Sequence, residues 1–176
     1  MSGHNKWSKI KHQKGASDAQ KSKLFGKLVR FITVESRKSA GNLNSPGLKT
    51  AIEKAKAANM PNDTIDRAVK KGSTDNSASM ESITYEAYGP GGCAIIIEAL
   101  TENRNKAAQE IKHALALTGY SLAGIGAATW AFKKEGGEWI PQTTVAINEE
   151  DGKQLSELVA SLEENDEVQD VYTNAE

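Results

Sequence analysis

The chain has 176 residues, 26% of them charged and 38% hydrophobic, with a formal net charge of -1. That length allows one ordinary domain or two small ones, and the composition is that of a soluble globular protein. No apolar run is long enough to span a membrane. A single cysteine, Cys93, excludes an internal disulfide and a cysteine-based metal cluster.

The near-neutral total conceals a division. Residues 1–72 carry 16 Lys and Arg against 5 Asp and Glu, a balance of +11. Residues 73–176 carry 6 against 18, a balance of -12. The first part should be drawn to polyanions and the second repelled by them. The chain opens on Gly3-His4-Asn5-Lys6-Trp7-Ser8-Lys9-Ile10-Lys11-His12-Gln13-Lys14, with no acidic residue and no proline. Such a stretch is too polar to form a core. Lysines can sit on phosphates and a Trp beside them can stack on a base, as a nucleic-acid-binding arm requires. The alternative for the same composition is a solvated tail. Nothing here has the apolar middle of a signal peptide, so a cytoplasmic protein is expected.

Ser17-Asp18 can cap a first helix. Leu24, Phe25, Leu28, Val29 and Ile32 recur at helical spacing and make one apolar face. Lys21, Lys23, Lys27 and Arg30 fall largely outside it and extend the basic surface of the arm. Gly41-Asn42-Leu43-Asn44 breaks the helix. Ser45-Pro46 starts a second, through Leu48, Ala51, Ile52 and Ala55. Pro61 opens a third, with Ile65, Ala68 and Val69 inward and Gly72 as its stop. The polar stretch from Ser73 to Ser79 coincides with the charge reversal. It divides a basic arm plus three-helix domain, 1–76, from an acidic α+β domain, 77–176.

From Ile83 the period changes to that of strands. Ile83 to Tyr88 alternates, Gly89-Pro90-Gly91-Gly92 turns the chain, and Cys93 to Leu100 has the length of a buried strand. Asn103 can cap a helix carrying Ala107, Ile111, Ala114 and Leu115. Ala127–Lys133 and Trp139–Ile147 read as two strands joined by a tight turn at Lys134-Glu135-Gly136-Gly137. Asn148 and Asp151 form a capping pattern for a helix through Leu155, Leu158, Val159 and Leu162. Val168 to Thr173 is a last strand. The order after Cys93 is the ferredoxin-like one, with one extra strand before it.

Few residues offer chemistry. Gly89-Pro90-Gly91-Gly92 lacks the Lys-Ser/Thr of a phosphate loop and precedes a strand, so a hairpin turn is expected. Cys93 in an apolar strand reads as a small buried hydrophobe. His4, His12 and His113 do not have metal-ligand spacing. The run Glu163-Glu164-Asn165-Asp166-Glu167 lacks the EF-hand spacing and glycine, which leaves a solvated helix end. Trp130 and Trp139 fall in strand-like segments and should pack. No nucleophile, acid–base pair or metal set results, so a non-enzymatic protein without metal or cofactor is expected.

Several blocks resemble the YebC family, which includes bacterial proteins labelled transcriptional regulators and a mitochondrial translational activator of cytochrome oxidase. They are Gly3 to Trp7 with Ile10-Lys11-His12, Lys54 to Pro61, Tyr85 to Gly92, Glu98 to Asn105, and Val168 to Asn174. The resemblance implies three domains, the third inserted in the second. Here Trp130-Ala131-Phe132 is followed almost at once by Ile140 to Val145, segments similar to those that flank the insert, so the third domain is missing. The reading that results is a regulator of gene expression binding nucleic acid through Lys6, Trp7, Lys9, Lys11, His12, Lys14, Lys21, Lys23, Lys27 and Arg30. Ribosomal RNA or the ribosome is the preferred partner and DNA the alternative, with no membrane association.

Overall fold

The structure is a computed structural model that describes residues 18–75 and 79–176. The described chain divides into two compact units between Glu81 and Ser82.

Among the described residues the first unit holds three helices: α1 (Asp18–Lys38), α2 (Pro46–Ala57) and α3 (Asn62–Thr74). Ser17, the expected cap of α1, lies outside the described residues. Asp18 in the first turn and Arg37 and Lys38 in the last complement the helix dipole. Ser45 caps α2 by accepting from the Leu48 N–H at 3.4 Å, with Pro46 at the first position. Asn59 ends that helix in the left-handed region at φ +61°. The Met60 N–H then closes back onto the Ala55 carbonyl at 3.0 Å, and Met60 enters the core. Leu28, Ile32, Leu48, Ala51, Ile65 and Ala68 fill the space between the helices.

Gly72 does not stop α3, which runs on to Thr74. It is buried where α3 crosses α1. A Cβ there would stand 2.4 Å from the Thr33 carbonyl and 2.7 Å from Ser36 Cβ. The glycine serves close approach rather than termination. Ser36 Oγ, also buried, donates to the Val69 carbonyl across the same contact at 2.6 Å.

The second unit contains β1 (Glu81–Tyr88), β2 (Ala94–Thr101), α4 (Arg104–Leu117), β3 (Phe132–Glu135), β4 (Glu138–Pro141), α5 (Glu149–Glu163) and β5 (Val168–Thr173). Asn103 caps α4 by accepting from Lys106 N–H at 3.1 Å, and Asn148 caps α5 by accepting from Asp151 N–H at 2.8 Å. The main sheet has the order β1-β2-β5, with β2 and β5 antiparallel from Ile95↔Thr173 to Ala99↔Val168. Ile95, Ile97 and Ala99 face Ile111, Leu115, Leu155, Leu158 and Leu162 of the two helices. Ala94 and Ile96 face the other way, onto Ala128, Ala131 and Phe132, with Trp139 and Tyr172 packed alongside. Burial on both faces explains why β2 is a continuous apolar run.

The class is α+β, as expected, and the pairing departs from a ferredoxin-like sheet at one edge. There β4 would lie beside β2; here β1 takes that place. The turn Gly89–Gly92 joins β1 to β2, so their pairing closes a very short loop. Strands β3 and β4 have four residues each and pair only with one another, Phe132 opposite Pro141 and Glu135 opposite Glu138. The turn between them is Gly136-Gly137, at φ +57° and +84°. The longer strands expected over Ala127–Lys133 and Trp139–Ile147 are cut short. Thr129–Ala131 is a 3-10 turn. Beyond Pro141, Val145 leaves the hairpin and bridges Ala175.

Candidate nucleic-acid interface

Lys23, Lys27 and Arg30 follow one another at four- and three-residue spacing, which places them on one face of α1. That face is distinct from the one carrying Leu28 and Ile32 into the core. All three are half-buried, whereas Lys21, nearer the helix start, is exposed. The expected contacts Lys6, Trp7, Lys9, Lys11, His12 and Lys14 lie outside the described residues.

Sequence reasoning stopped at α1, and the other two helices carry cations as well. Lys49 and Lys56 are exposed on α2, seven residues apart and so on one side of it. Arg67, Lys70 and Lys71 are exposed on α3. The signal was present in the +11 balance, which the arm and α1 do not exhaust. Several cations of the unit, Arg67 among them, have partners within it. Lys54 Nζ sits 5.8 Å from the Phe31 ring centroid. Arg37 faces Asp75 at 3.9 Å, Lys38 faces Glu35 at 2.9 Å and Arg67 faces Asp63 at 3.6 Å. The Arg67–Asp63 pair, exposed on both sides, contributes about 0–1 kcal/mol.

The second unit has a different surface. Glu149, Glu150 and Asp151 crowd the first turn of α5, where carboxylates favour the helix dipole. The acidic run at the end of α5 is only partly solvated. Glu167 is buried, its carboxylate accepting from Thr101 Oγ1 at 3.1 Å and facing Lys106 Nζ at 3.5 Å. Asn165 donates to Glu110 at 2.7 Å and accepts from the Glu167 N–H. These two residues tie the end of α5 to α4.

Cys93 is fully buried, and burial pushes its thiol up from the ordinary value. A raised, buried thiol is a poor nucleophile. His113 is exposed on α4. No group of three or more His, Cys, Asp or Glu able to hold a metal occurs among the described residues. No helix among them is long and apolar enough to cross a membrane. Trp139 packs as expected, its Nε1–H donating to Glu98 at 2.6 Å with Lys134 Nζ 5.1 Å from its ring. Trp130 does not pack. It lies in the 3-10 turn rather than in a strand, and its side chain is exposed.

Residues 5–75 match the model of the TACO1/YebC protein N-terminal domain, and residues 80–137 and 134–175 match that of the TACO1/YebC second and third domain. The chain belongs to the TACO1/YebC family. Two relatives, each described as a probable transcriptional regulatory protein, illustrate the match. One from Petrotoga mobilis is 48% identical over 147 residues, covering 82% of this chain and 59% of its own length. The other, from Thermosipho africanus, is 35% identical over 237 positions, covering all of this chain and 94% of itself. A solved structure of a conserved hypothetical protein from Aquifex aeolicus superimposes with a TM-score of 0.82 at 31% identity, covering 97% of this chain and 96% of that one.

The chain therefore spans about 59% of the length of the Petrotoga relative. An alignment of 237 positions exceeds this chain's 176 residues while covering both proteins almost end to end, so the additional residues of the Thermosipho protein are internal. The two segments matched by the second model meet at residues 134–137, the turn between β3 and β4. The TACO1/YebC insert is absent at that point, and a two-residue hairpin turn stands in its place.

Proposed function

We propose that this protein is a non-enzymatic, cytoplasmic, nucleic-acid-binding regulator of gene expression, acting as a translation factor on ribosomal RNA. The observation that carries this reading is the division of charge, +11 over residues 1–72 against -12 over 73–176. Exposed cations on all three helices support it. In this reading the basic arm and helices hold phosphate, and Trp7 stacks on a base. The absence of enzymatic activity is supported by the buried Cys93 thiol and by the regulatory names of the relatives.

The names of those relatives favour a second reading, a DNA-binding transcriptional regulator. Against sequence-specific DNA reading, among the described residues no helix of the basic unit presents Arg, Asn or Gln in series as a recognition helix does. The deciding experiment is ultraviolet crosslinking in cells, with recovery of both RNA and DNA. Enrichment of one ribosomal RNA site is expected. Recovery of DNA without ribosomal RNA would replace the first reading with the second.

A further inference from the structure

The segment from Leu122 to Ala131 is fastened to β1 by a buried charge. Glu86 is 6% exposed, and its Oε2 accepts from the Ala128 N–H at 3.0 Å. The Gly126 and Ala127 N–H groups and the Thr129 hydroxyl are near enough to favour the charged form of this carboxylate. The Glu86 carbonyl takes the Ala123 N–H at 2.8 Å, and Ala87 bridges Leu122. So the loop is held from beneath along most of its length.

What it holds outward is apolar. Ile125 is fully exposed at 105% and Trp130 is 62% exposed. Tyr88, also exposed, accepts the Trp130 Nε1–H at 3.0 Å and donates to the Ala127 carbonyl. The indole is thus fixed by its polar edge while most of the ring stays in solvent. Folding alone would bury these groups rather than fasten them in water. The Trp130–Tyr88 pair held in solvent, with Ile125 exposed on the same loop, suits an interaction surface, and Trp and Tyr are the side chains that anchor protein interfaces.

We propose that this loop docks a protein partner with a cationic surface, Trp130 and Ile125 being the anchors. Charge selects the partner. Residues 82–176 carry 16 Asp and Glu against 6 Lys and Arg. That excess over the whole unit disfavours a phosphate backbone and favours a cationic protein over an acidic one. A second copy approaching loop to loop would bring the same excess to the contact. The inference does not depend on the helical unit binding nucleic acid.

The test places photoreactive p-benzoylphenylalanine at the exposed Gly124 of the full chain, beside the Ile125 anchor, where an added Cβ meets nothing within 4 Å. The probes are nuclease-treated cell protein separated by ion exchange into cationic and anionic fractions, purified ribosomal RNA, and the chain alone. The expected result is adducts in the cationic fraction, at least about fivefold above the anionic one, with adducted proteins of net positive charge by mass spectrometry. Trp130→Ala should lower their yield by at least about fivefold, and Trp130→Phe should restore most of it. Sodium chloride at about 0.5 M should lower it too. Adducts mainly with RNA, with a second copy or with the anionic fraction overturn the proposal. So does a yield no higher than with the reagent at Ala160, an exposed position on α5, or a yield indifferent to Trp130→Ala.

Discussion

At Glu86 burial pushes the carboxyl up, and the N–H groups of Ala128, Gly126 and Ala127 with the Thr129 hydroxyl outweigh it. The carboxyl is held below its ordinary value of 4.5. A carboxyl lowered in the folded state contributes stability that is fully present above pH 4.5 and is lost as pH falls through the lowered value. Glu86→Gln places an amide among donors that need an acceptor. It should destabilise the second unit by about 1–3 kcal/mol at neutral pH. In urea melts the gap between parent and variant should narrow once the pH falls well below 4.5; a gap as wide at about pH 3 as at about pH 7 would show that charge is not its source. Neither Glu86 nor Glu167 was legible as a buried residue. Glu86 meets Ala128 across 42 positions, and Glu167 meets Thr101 across 66. A local period reports which side chains are apolar and carries no record of a distant donor.

The helices were legible almost throughout, because Ser45-Pro46, Asn103 and Asn148 act within one turn of themselves. The turn at Gly136-Gly137 was legible for the same local reason. Both residues have positive φ, as a two-residue hairpin demands, and valine resists that region by about 1–2 kcal/mol per residue. Replacing both with valine should therefore lower the thermal midpoint of the second unit; an unchanged midpoint would mean that the hairpin does not stabilise the sheet face it covers. Gly72 was misread because a helix stop and a close helix crossing ask for the same residue. The crossing gives its own prediction. Gly72→Ala pushes a methyl against the Thr33 carbonyl, so α1 and α3 must separate. A cost of about 1–3 kcal/mol is expected in denaturant unfolding, although alanine is the better helix former. A stabilised variant would show that Gly72 is only a weak point in α3. The departure from a ferredoxin-like sheet was hidden for another reason. Strand order is set by contacts between segments distant in sequence, and periodicity is silent on pairing.

Over the whole chain, the charge division and the change from helical to strand period coincide near Ser73, and we expect residues 1–76 and 77–176 to fold as separate units. Each fragment alone should give dispersed amide signals; a soluble but unfolded 77–176 would reject this boundary. The same division sets how the intact protein should respond to salt. Suppose Lys6, Lys9, Lys11 and Lys14 each neutralise one phosphate of single-stranded RNA. Each contact adds roughly 0.7 to the slope of log affinity against log salt, so changing all four to Ala should flatten that slope by about 3. Trp7→Ala should act differently, costing about 1–3 kcal/mol by loss of one stacked base while leaving the slope nearly unchanged. The control must remove charge from the acidic unit without disturbing it. Glu167 is unsuitable, because its carboxylate serves Thr101 and Lys106. Glu150→Gln and Glu157→Gln, at exposed positions of α5, remove charge there, and they should not weaken binding. If the four-lysine variant binds like the parent at every salt concentration, the arm is not the contact. The slope should then respond to Lys49, Lys56, Lys70 and Lys71, the exposed cations of α2 and α3. If those too leave the slope unchanged, the +11 balance has no phosphate partner and the nucleic-acid reading fails as a whole.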